Sequence, residues 1–260
     1  MSFSLTWLPH VLEDAGLKVA KEFGWETRGL GDVGETLGVI CHHTGHQADG
    51  ILPSRDVLLR GRPGLRGPLA QLGLGRDGTF FVLAAGLAQH AGKGDFQDIT
   101  SGNTHFIGIE AENRGTAADA WPEVQLDAYR RGVAAILKHT RRGVEFCLGH
   151  KEWARHRVEN KKVDPLFDMD EFRRHVAMLL NGDAPPPVLI PARDTRGRPT
   201  LRRGDTGPRV LELQALLGME ERGPFGPHTE SLVRKFQRAR GLVPDGIVGP
   251  KTWAALDSTS

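Results

Sequence analysis

Apolar residues recur along this chain with two different periods, and the switches between them mark out its elements. In WPEVQLDAYRRGVAAILKHT, apolar side chains return every three or four residues at Leu126, Tyr129, Val133, Ile136 and Leu137. That spacing predicts a helix with one core-facing stripe. In HFIGIEAEN the period falls to two, with Ile107, Ile109 and Ala111 on one face and Gly108, Glu110 and Glu112 on the other, which predicts a strand. The apolar run TLGVIC, 36–41, reads as a short buried strand, and LGLGRDGTFFVL reads as two strands around an Asp-Gly turn. Strands mixed with long amphipathic helices predict an α/β fold, a central mixed β-sheet flanked by helices.

The pattern lapses between Gly182 and Thr200, where GDAPPPVLIPARDTRGRPT holds five prolines and no usable period. The expected division is a first domain over 1–182 with its core at about 30–170, a Pro-rich linker over 183–199, and a second domain over 200–260. The last stretch echoes itself, FGPHT (225–229) against VGPKT (248–252), and in both a Gly ends a turn and a Pro sits in the first helical turn. Leu213, Leu217, Leu232, Val233 and Phe236 supply helix-spaced core positions, so a small all-α, three-helix domain is predicted.

Composition narrows the function classes. With 34 basic against 32 acidic residues the formal net charge is only +2, which gives no basic footprint for nucleic acid. No apolar run approaches the length of a membrane span, so membrane insertion is not expected. The first twenty residues carry Glu13 and Asp14 mid-segment and lack a basic head and a continuous apolar stretch, so no secretory signal is expected. Cys41 and Cys147, the two cysteines, belong to no CxxC pair and read as free thiols.

Three short segments concentrate candidate chemistry: VICHHTG (39–45), LGHKEW (148–153) and KKVDP (161–165). Two neutral imidazoles and one carboxylate can hold a Zn²⁺ ion and leave a position for water. Either histidine of the 42–43 pair fits, because successive residues on a strand point to opposite faces and one register slip exchanges them. The loop that follows His150 carries a competitor, His156.

These segments, together with RDGTFFV (76–82), HAG (90–92) and IGIE (107–110), stand in the order found in zinc amidases of the N-acetylmuramoyl-L-alanine amidase and peptidoglycan-recognition type. The chain resembles that family over roughly residues 30–170. The resemblance implies one zinc ion per chain held by His42, His150 and Asp164. It implies Glu110 as general base with Glu112 as fallback, and Lys162 as the electrophile that stabilises an oxyanion. His43, His90 and Ala91 are implied to contact substrate. Some members use a tyrosine where this chain has Leu69, and the single tyrosine, Tyr129, falls on the predicted helix, so a tyrosine-based variant is not expected. The loop after His150 is longer than in compact branches of the family.

The C-terminal block resembles the three-helix peptidoglycan-binding module of wall hydrolases, through G-D-x-G, L-Q-x-L-L, F-G-x-x-T, F-Q and D-G-x-V-G-P-x-T. Both resemblances imply bacterial peptidoglycan as partner and hydrolysis of the bond between the lactyl group and L-alanine. The chain is expected to act as a monomer and as a cell-lysing endolysin, made in the host cytoplasm and acting on the wall after release. The alternatives are a non-catalytic peptidoglycan recognition protein and a zinc peptidase acting on the stem-peptide cross-link.

Overall fold

The period-two segments come together in one sheet. The computed structural model describes residues 2–48, 50–156, 161–183, 185–188, 194, 196–220 and 222–258. Two compact units divide the chain, Met1–Val188 and Leu189–Ser260. Along the first run α1 (Leu8–Asp14), β1 (Lys18–Lys21), β2 (Gly38–His43), α2 (Arg55–Arg60), the two-residue strands β3 (Gly61–Arg62) and β4 (Leu65–Arg66), β5 (Leu72–Leu74), β6 (Thr79–Val82), α3 (Gly102–His105), β7 (Phe106–Ala111), α4 (Glu123–Thr140), β8 (Cys147–Gly149), α5 (His150–Trp153) and α6 (Met169–Asn181). Six of these strands form a sheet in the order β1-β6-β5-β7-β2-β8, and β3 pairs with β4 separately. Only the β5–β6 hairpin, built on the Asp-Gly turn, is antiparallel within the large sheet, so the sheet is mixed as expected.

Alternation sorts the two faces. Val39, Cys41, Ile107, Ile109, Ala111 and Cys147 pack with Tyr129, Val133, Ile136 and Leu137 of α4 and Phe172 and Val176 of α6 in the main core. On the opposite face Ile40, Phe106 and Leu148 pack with Ala91, Trp153 and Ala154 in a smaller cluster. The next residues outward on that second face are His42, Glu110 and His150. Since β2, β7 and β8 run parallel and β2 pairs with both others, His42↔Glu110 and Cys41↔Gly149 bring the carboxyl ends of all three strands to one level. A crevice outside those ends is where open α/β sheets place their ligands.

In the second unit, α7 (Pro208–Leu216), α8 (Pro227–Ala239) and α9 (Pro250–Asp257) each start with a proline that follows a glycine. The sequence echo extends to buried polar groups. Gln214 donates to Thr229 Oγ1 at 3.0 Å and accepts from Gly223 N–H at 2.9 Å, and Gln237 repeats this with Thr252 at 3.2 Å and Gly246 at 2.9 Å. Each side-chain amide bridges a backbone N–H and a threonine hydroxyl, and a buried polar group left unpaired costs about 1–3 kcal/mol. Leu213 and Val233 lie in this unit's core, with Leu217 and Phe236 against it, whereas Leu232 is half-buried outside that cluster. Leu201, Val210, Phe225, Val248, Trp253 and Leu256 complete the core.

Residues 184, 189–193 and 195 of the expected linker lie outside the described residues, but its two flanks are held. Arg131 donates to the Pro185 carbonyl at 2.6 Å, and Val188 N–H donates to Asp127 at 3.0 Å, so 185–188 lie along α4. At the other end the Arg198 guanidinium is buried over the Trp253 ring at 4.3 Å and donates to Asp194 at 2.7 Å and to Asp257 at 2.6 Å and 2.9 Å. Contacts from α4 thus hold 185–188, and contacts within the second unit hold Arg198.

Candidate active site

Three side chains from separate segments converge at the strand ends. His42 Nδ1 and His150 Nδ1 lie 3.0 Å apart, and Asp164 Oδ2 is 3.1 Å from the first and 3.0 Å from the second. His42 comes from the last turn-inward position of β2, His150 opens α5 directly after β8, and Asp164 sits on the loop before α6. That loop is tied to α5: Lys151 N–H donates to the Asp164 carbonyl at 2.8 Å, and Lys151 Nζ donates to the carbonyls of Pro165 and Phe167, both at 2.8 Å. Glu152 in turn accepts from Gly149 N–H at 2.8 Å and pairs with Arg173 at 2.8 Å and 2.9 Å, which fixes the start of α5 against α6.

The outer ring atoms decide what the inner ones offer. His150 Nε2 is 3.1 Å from the Ala91 carbonyl and His90 Nε2 is 3.0 Å from the Phe106 carbonyl, so both nitrogens must carry the proton. His90 Nδ1 is then a lone pair, and His42 Nε2 at 3.1 Å donates to it. The His42 and His150 rings therefore both turn an unprotonated Nδ1 toward Asp164. Three electron-pair donors this close repel one another unless a cation lies among them. Their spacing is near the edge of about 3.3 Å of a tetrahedron with bonds of about 2.0 Å, so the donor set fits a metal ion. Among the described residues these three are the only His, Cys, Asp and Glu group so arranged.

Electrostatics agree with that use. Burial, with His150 beside it, lowers the His42 imidazole to about 4, so it is neutral at physiological pH. Glu110, paired with His42 in the β7–β2 register and 3.9 Å from its Nδ1, is pushed up to about 8, first by burial and then by the charge of Asp164, with Lys162 opposing. Among the described residues its buried Oε2 has no hydrogen-bond partner.

The structure separates the candidates that the sequence left open. His42, not His43, shares a face with Glu110; His43 points to the opposite face of β2, with its ring 6.4 Å from Trp121. His156 is exposed, 3.8 Å from Asp95, and lies outside the cluster. Glu112 is fully buried and accepts from Thr44 Oγ1 at 2.7 Å and from Ser54 N–H and Oγ, both at 3.1 Å. Its oxygens anchor two loops, so it cannot serve as the fallback base. Lys162 is half-buried and near enough for its charge to act on both His42 and Glu110. His90 and Ala91, expected to touch substrate, lie buried behind the His42 and His150 rings and are hydrogen-bonded to His42, Phe106 and His150. The reason is that the HAG segment packs beneath the strand ends, not along the crevice.

Tyr129 was not expected to act at all. Its hydroxyl, fully buried on the far face of the sheet, accepts from His42 N–H at 2.9 Å and donates to the Ile109 carbonyl at 2.9 Å. It closes the β2–β7 ladder where His42 and Glu110 must stay level. No sequence signal marks it beyond a polar atom on a core-facing stripe.

Residues 33–166 match the N-acetylmuramoyl-L-alanine amidase family, and residues 206–256 match a family described as a putative peptidoglycan binding domain. Among curated proteins, the chain is 48% identical over 69 residues to an uncharacterised protein of Kitasatospora aureofaciens (24% of this chain, 58% of that one), and 41% identical over 64 residues to the zinc D-Ala-D-Ala carboxypeptidase of Streptomyces albus G (21% and 24%). The chain thus spans 58% and 24% of the lengths of these two relatives. Similar solved structures include the N-acetylmuramyl-L-alanine amidase AmiD from E. coli (TM-score 0.45, 18% identity, 92% of this chain and 96% of that one) and a mutant endolysin from Bacillus subtilis (TM-score 0.44, 17% identity, 62% and 99%). With the family match covering more than half of its length, the chain belongs to the N-acetylmuramoyl-L-alanine amidase family.

Proposed function

We propose that this protein is a zinc-dependent N-acetylmuramoyl-L-alanine amidase that cuts the amide between the lactyl group and L-alanine of bacterial peptidoglycan. The observation that carries the reading is the convergence of His42 Nδ1, His150 Nδ1 and Asp164 Oδ2 within 3.1 Å, directly beside a buried carboxyl with a free oxygen. A zinc ion bound there supplies Lewis acidity to water and carbonyl oxygen. Glu110 takes the proton of the attacking water on its unpartnered Oε2 and delivers it to the leaving amine nitrogen. Beside a bound divalent ion Glu110 would be ionised in spite of its burial. Lys162 holds an ammonium where negative charge develops on the carbonyl oxygen. The apolar cluster of Ile40, Phe106 and Leu148 beneath His42 keeps these charges poorly screened.

Digestion of purified peptidoglycan followed by mass analysis tests the reading. Free stem peptides with intact glycan strands are the expected product. Severed cross-links would make the protein a peptidase, and unaltered wall would make it a binder.

The division of labour is part of the proposal: residues 1–188 hold the chemistry, and the C-terminal unit tethers it to the wall, in keeping with an endolysin. A fragment ending at Val188, which keeps the contacts of Arg131 and Asp127, should cleave a small soluble muropeptide at close to the full-length rate. On intact walls it should be slower by roughly 10-fold or more, because tethering acts through effective concentration and leaves the bond-breaking step unchanged. Inactivity of this fragment on the soluble substrate, while folded and zinc-loaded, would show that the second unit helps to form the active cleft.

A further inference from the structure

We propose that Asn103 and the dipeptide His90–Ala91 form a positioning frame that sets the tautomer and direction of both imidazole ligands, so that a divalent ion meets two Nδ1 lone pairs. This rests on the reading of His42, His150 and Asp164 as a metal site. Its starting point is that the outer contacts of the two rings come from adjacent residues. The His90 ring, itself oriented by the Phe106 carbonyl at 3.0 Å, accepts from His42 at 3.1 Å, and the Ala91 carbonyl accepts from His150 at 3.1 Å. A carbonyl cannot donate, so each chain of contacts ends in a group that leaves one proton arrangement satisfied. The reverse tautomer of either ring would bury an N–H toward the metal and leave a lone pair against an acceptor.

The dipeptide is itself held from one point. Asn103 Oδ1 accepts from His90 N–H at 3.0 Å and from Ala91 N–H at 2.8 Å, so one oxygen fixes both peptide groups. Two glycines let the dipeptide press against its support. A Cβ at Gly108 of β7 would lie 2.4 Å from His90 Cγ, and a Cβ at Gly102 of α3 would lie 2.6 Å from the Ala91 Cβ. The Asn103 side chain hydrogen-bonds to backbone N–H groups and not to either ring. It acts through the backbone, and partners of this kind typically govern 10- to 100-fold, roughly, in metal affinity.

The experiment uses the full-length protein, stripped of metal and titrated with Zn²⁺ against a chromophoric chelator, and then loaded with Co²⁺ for its visible spectrum. Asn103→Leu, which removes the shared acceptor, should weaken zinc binding by about 10- to 100-fold and lower the intensity of the tetrahedral cobalt bands. Asn103→Asp, which keeps an oxygen facing both N–H groups, should restore both to near the parent. At position 90, Gln can donate to the Phe106 carbonyl and accept from His42, so His90→Gln should bind zinc far better than His90→Leu. Nitrogen-15 spectra of the metal-free protein should show His42 and His150 protonated at Nε2, and a mixture of tautomers in Asn103→Leu. Parent-like affinity and tautomers in folded Asn103→Leu would overturn the frame. If Asn103→Leu does not fold, the pair at position 90 decides, and equal affinities there would overturn it. Failure of the unaltered protein to bind one zinc, or binding that survives His42→Ala, would instead overturn the metal site itself.

Discussion

Alanine at His42, His150 or Asp164 should abolish hydrolysis and take bound zinc from about one per chain to a small fraction, with all three giving the same result. A site of three protein ligands reduced to two loses affinity and the geometry that leaves one position open. The removed side chains also hold one another in place, since each lies within 3.1 Å of the other two. Metal content by atomic emission, measured beside activity on a soluble muropeptide, separates loss of the ion from loss of fold when the circular dichroism spectrum is unchanged. His156→Ala is the control, because that imidazole is exposed and turned toward Asp95. Full zinc occupancy in Asp164→Ala would move the third ligand elsewhere and sink this assignment. His43→Ala should keep its metal, since the ring faces the other side of β2.

How far the chain could be read depended on the range of the interaction. Alternation in HFIGIEAEN placed Glu110 on the face opposite Ile107 and Ile109, and that is where β7 carries it, because the period-two rule is local and needs no knowledge of partners. The same rule could not choose between His42 and His43. Which face of β2 meets β7's Glu110 is set by α4 covering the other face, and that information lies some ninety residues downstream at Tyr129. The HAG motif marks His90 and Ala91 without saying which groups they face, and in the fold they hydrogen-bond to His42, Phe106 and His150. Asn103 and Lys151 carried no signal: both are ordinary polar residues whose importance consists of backbone contacts made after folding. The helical unit was legible in the same uneven way. Its Gly-Pro helix starts are local, whereas burial of Phe225 and Trp253 and exposure of Leu211 follow from how three helices meet.

Glu110→Gln should keep zinc and fold but lose roughly 10²- to 10⁴-fold in rate, the contribution of a positioned general base. Glutamine fills the same space beside His42, so a loss of rate with unchanged metal content isolates the proton-transfer role. Glu112→Gln should instead loosen the Thr44 and Ser54 loops that its carboxylate holds, and so appear first in the melting temperature. A second readout comes from pH. The Glu110 carboxyl is raised to about 8 in the folded, metal-free protein against 4.5 ordinarily, so between those values the folded state holds a proton that the unfolded chain has released. Stability then falls as pH rises through this window, and below it the carboxyl is protonated in both states and costs nothing. Metal-free Glu110→Gln should therefore melt with the parent near pH 4 and above it at pH 8. Zinc should narrow that gap, because a divalent charge beside the carboxylate stabilises the ionised form that burial disfavours. Equal melting of the two metal-free proteins at pH 8 would mean that Glu110 is better solvated than its unpartnered oxygen indicates, and a full rate in Glu110→Gln would remove it from the chemistry.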